Sequence, residues 1–259
     1  MFHSFRRRLR ERDRLLGTLV SLPSPEVSEI LAAAGFDWLF LDGEHGPLDY
    51  LMAQRMIQAA GDRCPCLLRV PLGEEIEVKK ALDIGAAGII VPQVNSAEQA
   101  ARIVRWCRYP PEGTRGVGIA RAHGYGGYFG DYLQRANDEI SVVVQVEHID
   151  AVGNVESILD VAGVDAVFVG PYDLSASMGL TGQVGHGDVT AAIATVRDAC
   201  LRRQMPLGIF SLDPRTMGSH LEQGFSLIAA GCDSAYILGG GRETLAQLRS
   251  LSHHDDALS

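Results

Sequence analysis

Short, β-branched and almost uncharged runs recur from residue 17 to residue 230, and between them apolar positions fall at helical spacing. Eight runs, 17–21, 38–42, 66–70, 88–92, 142–146, 166–169, 207–210 and 225–230, read as buried parallel strands, which lack the apolar/polar alternation of a half-exposed sheet. The intervening segments predict helices at 24–35, 48–60, 74–84, 97–108, 132–136, 148–163, 189–203 and 215–223. The first carries its own punctuation: Ser24 to cap it, Pro25 at its first position and Gly35 to stop it. Eight strands alternating with helices is the count of a closed (β/α)8 TIM barrel. The chain therefore reads as α/β, one domain over residues 1–259 with its barrel at about 17–238, and a doubly wound open sheet is the alternative.

Three stretches fall outside this period. Residues 1–15 hold Arg6, Arg7, Arg8, Arg10, Arg12 and Arg14, broken by Glu11 and Asp13 and followed by no apolar segment of signal-peptide type. This pattern predicts a solvated leading helix rather than a targeting or nucleic-acid arm. Residues 109–130 form a long glycine-rich insertion; beyond the eighth strand a helix is predicted at 242–251, followed by a polar tail with His253 and His254 that reads as disordered.

Composition narrows the possibilities. A net charge of −9 argues against nucleic acid as a partner, and no apolar run reaches the roughly 18 residues of a membrane span. Cys64, Cys66, Cys107, Cys200 and Cys232 show no metal-ligand spacing beyond one C-P-C, and their odd number fits core positions in a reduced, cytoplasmic chain. The only lysines are Lys79 and Lys80, adjacent in a helical segment. Schiff-base catalysis needs a desolvated lysine at a strand end, so that route is closed.

Polar residues gather at the strand C-termini, where parallel barrels keep their chemistry, and are nearly absent from the N-termini. The second strand leads into Asp42-Gly43-Glu44-His45, the third ends in Arg69, the fourth in Pro92-Gln93, the fifth in Gln145 and Glu147, and the sixth leads to Asp173 behind Gly-Pro-Tyr. A right-handed crossover puts Glu147 and Asp173 at the same end of the sheet, where two oxygen ligands suit a hard divalent cation: Mg2+, Mn2+ or Co2+. The same acids also read as helix caps. Arg69, at the end of an apolar strand, needs an anionic partner: either Asp42 or Glu44 in an ion pair, or a carboxylate or developing oxyanion beside the metal. His45, just past the rim, has a side chain suited to act as a base near neutral pH. A 2-oxo acid whose carbonyl met a cation there would become acidic at C3, with the cation and Arg69 offsetting the enolate charge.

Motifs along nearly the whole barrel resemble one family. They are G-F-D-W-L-F-L-D-G-E-H (35–45), L-L-R-V-P (67–71), L-D-I-G-A-A-G-I-I-V-P-Q-V (82–94), R-Y-P-P-E-G-T-R-G-V-G (108–118), V-Q-V-E (144–147) and G-V-D-A-V-F-V-G-P-Y-D-L-S-A-S-M-G (163–179). The chain so resembles the HpcH/HpaI aldolases, metal-dependent class II pyruvate aldolases. The resemblance implies a TIM barrel assembled as a homohexamer, with a C-terminal helix, here 242–251, exchanged between subunits. It implies Glu147 and Asp173 as metal ligands, His45 as general base, Arg69 as enolate stabiliser, and Gln145 with the backbone at Tyr172 and Asp173 as substrate-binding groups. Asp83, in L-D-I-G, matches the aspartate that the family pairs with its base, although the end of a barrel helix should lie at the opposite rim. The implied reaction joins or cleaves pyruvate and an aldehyde through a 4-hydroxy-2-oxo acid. Alternatives are a relative using oxaloacetate with another acceptor, in citrate formation or a Diels–Alder-like route, and a non-catalytic 2-oxo acid sensor. Two departures from the family pattern concern the electrophile: I-A-R-A-H-G-Y-G-G-Y (119–128), which offers Arg121, His123 and Tyr125 as aldehyde contacts, and Tyr172 in place of a small residue.

Overall fold

The computed structural model describes residues 3–255, with side chains for 5–251. Its centre is a closed barrel of eight parallel strands paired in sequence order: β1 (Leu15–Val20), β2 (Trp38–Asp42), β3 (Cys66–Arg69), β4 (Gly88–Val91), β5 (Ser141–Val146), β6 (Ala166–Val169), β7 (Leu207–Ser211) and β8 (Leu227–Cys232). The helices before β5 are α1 (His3–Arg10), α2 (Pro25–Ala34), α3 (Tyr50–Ala60), α4 (Glu75–Asp83), α5 (Ala97–Cys107) and α6 (Phe129–Glu139). Then come α7 (Ile149–Gly153), α8 (Val155–Leu159), α9 (Pro171–Ser177), α10 (Gly187–Arg202), α11 (Met217–Glu222) and α12 (Asp233–Asp255). Ser24 Oγ accepts the N–H of Val27, and Gly35, at φ 97, ends α2 as its sequence position requires.

The strands are buried throughout, but their side chains sort by parity into two cores. Leu39, Leu41, Leu68, Val142, Val144, Val146, Val167 and Val169 face outward onto the helices. Trp38, Phe40, Leu67, Val143, Ala166 and Phe168 face inward. Continuing each inward series by two brings Asp42, Arg69, Gln145, Glu147 and Gly170 to the top of the barrel interior, so the period-two rule itself sets out the site.

Four sequence expectations are corrected. The leading helix is not solvated: Phe5 and Leu9, one turn apart, are 2% and 0% exposed and enter the inner core beside Trp38. Burial of each such side chain contributes roughly 1.5–3 kcal/mol, enough to seat α1 across the N-terminal end of the barrel despite its arginines. The segment 148–163 is two short helices meeting at Asn154 rather than one. The stretch between the sixth strand and the helix predicted at 189–203, to which no helix was assigned, begins as α9, with Asp173 in its first turn. The C-terminal helix is longer than 242–251, running unbroken from Asp233 through Gly239, Gly240 and Gly241 to Asp255, so His253 and His254 belong to its helical backbone; the rest of the tail lies outside the described residues.

At the closed end, Asp165 is fully buried and accepts from Arg6 Nε (2.9 and 3.0 Å), Arg10 Nε (2.8 Å), Arg108 Nη2 (3.4 Å) and the Val142 N–H (2.9 Å). All five cysteines are free and buried, and burial pushes the thiols of Cys64, Cys107 and Cys200 up to about 12.

Candidate active site

Parallel register sets Asp42 of β2 directly beside Arg69 of β3. The guanidinium grips that carboxylate with two nitrogens, Nε to Oδ1 at 3.0 Å and Nη2 to Oδ2 at 2.9 Å, and its Nε is 3.2 Å from Glu44 Oε2. Arg69 thus has the ion pair its burial demands, and it also lies 5.1 Å over the Phe40 ring. Asp42 Oδ1 accepts from the N–H groups of Glu44 and His45 at 3.1 Å each, which fixes the turn that carries His45 to the rim. The His45 ring is largely solvent-exposed, with Nε2 3.8 Å from Glu44 Oε2.

Glu147 is 1% exposed. Its Oε1 accepts the Gln93 N–H at 2.8 Å and its Oε2 accepts from Gln145 Nε2. Gln93 reaches it from a left-handed backbone, φ 54, unusual for a residue with a side chain. Burial pushes the Glu147 carboxyl up to about 7; the Gln145 and Gln93 hydrogen bonds pull it down, and the nearby charges of Glu44 and Asp173 push it up. Glu44 is likewise raised by burial, held down by Arg69 and His45, and raised by Asp42 and Asp173. Gly170 must be small: a Cβ there would lie 2.5 Å from Glu147 Oε2 and 3.1 Å from Gln145 Nε2.

A cavity of about 270 Å³ opens over these groups, with His45, Arg69, Gln145, Tyr172 and Asp173 in its wall and Phe40 and Phe168 among the side chains of its floor. Five of the seven residues singled out in the sequence line one space, and Glu147 adjoins it through Gln145. Asp83 does not join them. It ends α4, on the approach to the N-terminal end of β4, and pairs with Arg115 Nη2 at 2.8 Å. The aldehyde contacts proposed for 119–128 are also elsewhere in the chain. Arg121 and Tyr125 line a separate cavity of about 520 Å³ with Gly85 and Ala87, before the start of β4. His123 is 1% exposed, its Nε2 lying 2.6 Å from the Gly118 carbonyl and 2.9 Å from the Ala120 N–H, so it holds its own loop together. Sequence reasoning gave Asp42 and Glu44 only as partners for Arg69; their place in the inward series and the rim turn was the available signal.

The donor set fits a divalent cation. Three carboxylates, Glu44, Glu147 and Asp173, act on one another electrostatically, burial raises the first two above the ordinary carboxylate range, and the buried Gln145 Oε1 has no hydrogen-bond partner. Such an excess of buried acceptors calls for positive charge. Among the described residues no group of three or more His, Cys, Asp or Glu is arranged as a ready-made metal cage. Glu147 and Asp173 would therefore supply two ligands and leave the other positions to water or substrate oxygen.

A parallel barrel with acids, an arginine and a histidine around a rim cavity defines an α/β-barrel protein with a small-molecule site at the C-terminal face. Comparison with known proteins makes this specific: residues 16–238 match the HpcH/HpaI aldolase/citrate lyase family, and the chain belongs to it. It is 40% identical over 249 residues to a hydroxypyruvate/pyruvate aldolase of Roseobacter denitrificans, covering 95% of this chain and 96% of the relative. It is 39% identical over 249 residues to a 4-hydroxy-2-oxovalerate aldolase of Novosphingobium aromaticivorans, covering 95% of each. The crystal structure of a family protein from Burkholderia cenocepacia superposes with a TM-score of 0.92 at 38% identity, covering 95% of this chain and 99% of that one.

Proposed function

We propose that this protein is a carbon–carbon lyase that reversibly cleaves a 4-hydroxy-2-oxo acid to pyruvate and an aldehyde. The observation that carries this reading is the shared cavity of His45, Arg69, Gln145, Tyr172 and Asp173 over the raised carboxyl of Glu147. Glu147 and Asp173 hold a divalent cation, Mg2+, Mn2+ or Co2+, whose charge polarises the 2-oxo carbonyl when bound. Gln145 and the backbone at Tyr172 and Asp173 orient the acid. Arg69, already fixed by Asp42, offsets the negative charge that develops as the C3–C4 bond breaks or as C3 loses a proton. His45, at the rim, takes the proton from the 4-hydroxyl directly or through water.

The reading extends to assembly. Along α12, Ile237, Leu238, Leu245, Leu248 and Leu251 are 46–69% exposed, an apolar display that exchange of this helix within a homohexamer would cover. Asp83 can pair with a base only if that base belongs to another copy of the chain, because in its own chain it faces Arg115.

Protein stripped with a chelator should lose pyruvate release from a 4-hydroxy-2-oxo acid and regain it with Mn2+ or Mg2+. Turnover that persists unchanged after stripping would overturn the metal-dependent reading.

A further inference from the structure

Among the described residues, Arg12, Gln93, Tyr125 and Gln204 carry a side chain on a left-handed backbone. Arg12 and Gln204 lie just past the ends of α1 and α10, where that conformation is an ordinary way to stop a helix. Tyr125 belongs to the 119–128 insertion. Gln93 stands where no helix ends, just past β4 at the C-terminal rim. A backbone conformation that side chains disfavour persists only where its surroundings impose it, and such places concentrate at functional sites.

The local chain shows what imposes it. β4 and β5 pair in register as far as Val91 and Val144, and Pro92 then has no N–H with which to continue the ladder. Val94 rejoins β5 by donating its N–H to the Gln145 carbonyl at 3.3 Å, and its side chain is buried. Gln93 is thus held between two anchored neighbours. Its left-handed turn aims its own N–H at Glu147 Oε1, 2.8 Å away, while its side chain stays exposed. On the β6 side, Gly170 lies so close that a Cβ there would be 2.5 Å from Glu147 Oε2. The carboxylate that follows β5 is therefore bracketed by main chain from both neighbouring strands.

Resting on the reading of Glu147 as a cation ligand, we propose that Gln93 is a positioning residue, whose left-handed backbone fixes the Glu147 carboxylate in the orientation a divalent cation needs. A ligand already held in one orientation has little freedom left to lose when the ion arrives. Affinity for the cation then depends on the backbone at 93 and not on the side chain it carries.

The test is calorimetric titration of Mn2+ and Mg2+ into metal-free protein, compared across folded variants. Gln93→Val puts a β-branched residue where φ must stay positive, which drives the backbone, and the N–H with it, out of that region. Kd for Mn2+ should rise about tenfold or more, the scale of losing a group that orients a metal ligand. Gln93→Thr makes the same demand on the backbone and should shift Kd in the same direction. Gln93→Gly keeps the N–H and adopts the same φ without strain, so Kd should stay within about twofold while the denaturation midpoint of the metal-free protein rises. Gln93→Ala removes only the side-chain amide and should bind the ion as the unmodified protein does. A Kd that neither β-branched substitution moves, or one that Gln93→Gly and Gln93→Ala raise as much as Gln93→Val does, would strip Gln93 of this role while leaving Glu147 a ligand. Failure of the unmodified protein to bind either ion would remove the cation reading and the positioning role together.

Discussion

The two ends of the barrel treat buried acid in opposite ways. At the N-terminal end Asp165 has three guanidinium partners and a backbone N–H. At the C-terminal end Glu147 has an amide side chain, one backbone N–H and two further carboxylates for neighbours. The first arrangement is complete without any other molecule and serves the fold. The second is short of positive charge, and such a shortage costs stability unless something else supplies it. A polar cluster satisfied from within marks structure; one left unsatisfied at a strand C-terminus marks chemistry.

Substitutions can break this contrast at either end. Asp165→Ala leaves Arg6 and Arg108 buried without their anion and should cost about 3–5 kcal/mol in chemical denaturation, with activity per folded molecule retained. Arg69→Ala should lower pyruvate methyl-proton exchange by about 10²–10³-fold, the effect of removing one preorganised donor from a developing oxyanion. Unchanged exchange would reduce Arg69 to the partner of Asp42.

Titration sharpens the contrast further. A carboxyl whose folded pKa is raised favours the protonated form, so without a cation Glu147 lessens stability as pH climbs from its unfolded value toward about 7. Cation binding needs the ionised form and should weaken by up to about tenfold per pH unit below 7, with proton release on binding. Calorimetry in buffers of different ionisation enthalpy at pH 6 and 8 reads both. The smallest effect is expected from Arg10→Ala, since that side chain is 55% exposed while sharing Asp165: under about 1 kcal/mol in the same denaturation experiment.

The barrel was legible because its strands are β-branched runs bounded by glycine and polar turns, and because eight of them alternate with helices. The rim residues were legible for the same reason: a residue two places beyond an inward apolar position is itself inward. What escaped depended on the chain folding back on itself. The density of arginine in 1–15 concealed Phe5 and Leu9, whose i, i+4 spacing was the signal that α1 has a buried face. The last helix was expected only from residue 242, whereas α12 begins at Asp233 and continues through Gly239, Gly240 and Gly241. His123 looked like a loop ligand because sequence shows neither the Gly118 carbonyl nor the Phe129 ring, 4.9 Å away, that enclose it. Arg121 fell at the far end because it follows a helix that has already carried the chain back down the barrel, as the sequence itself indicated for Asp83 at the end of α4.

The buried thiols have a practical consequence. With burial pushing Cys64, Cys107 and Cys200 up to about 12, almost none of their sulfur is thiolate at neutral pH, and alkylating reagents find little to attack while the barrel is closed. Opening exposes the same sulfurs at ordinary acidity. The chain thus carries its own clock: the rate at which iodoacetamide marks those positions records how often the native barrel comes apart.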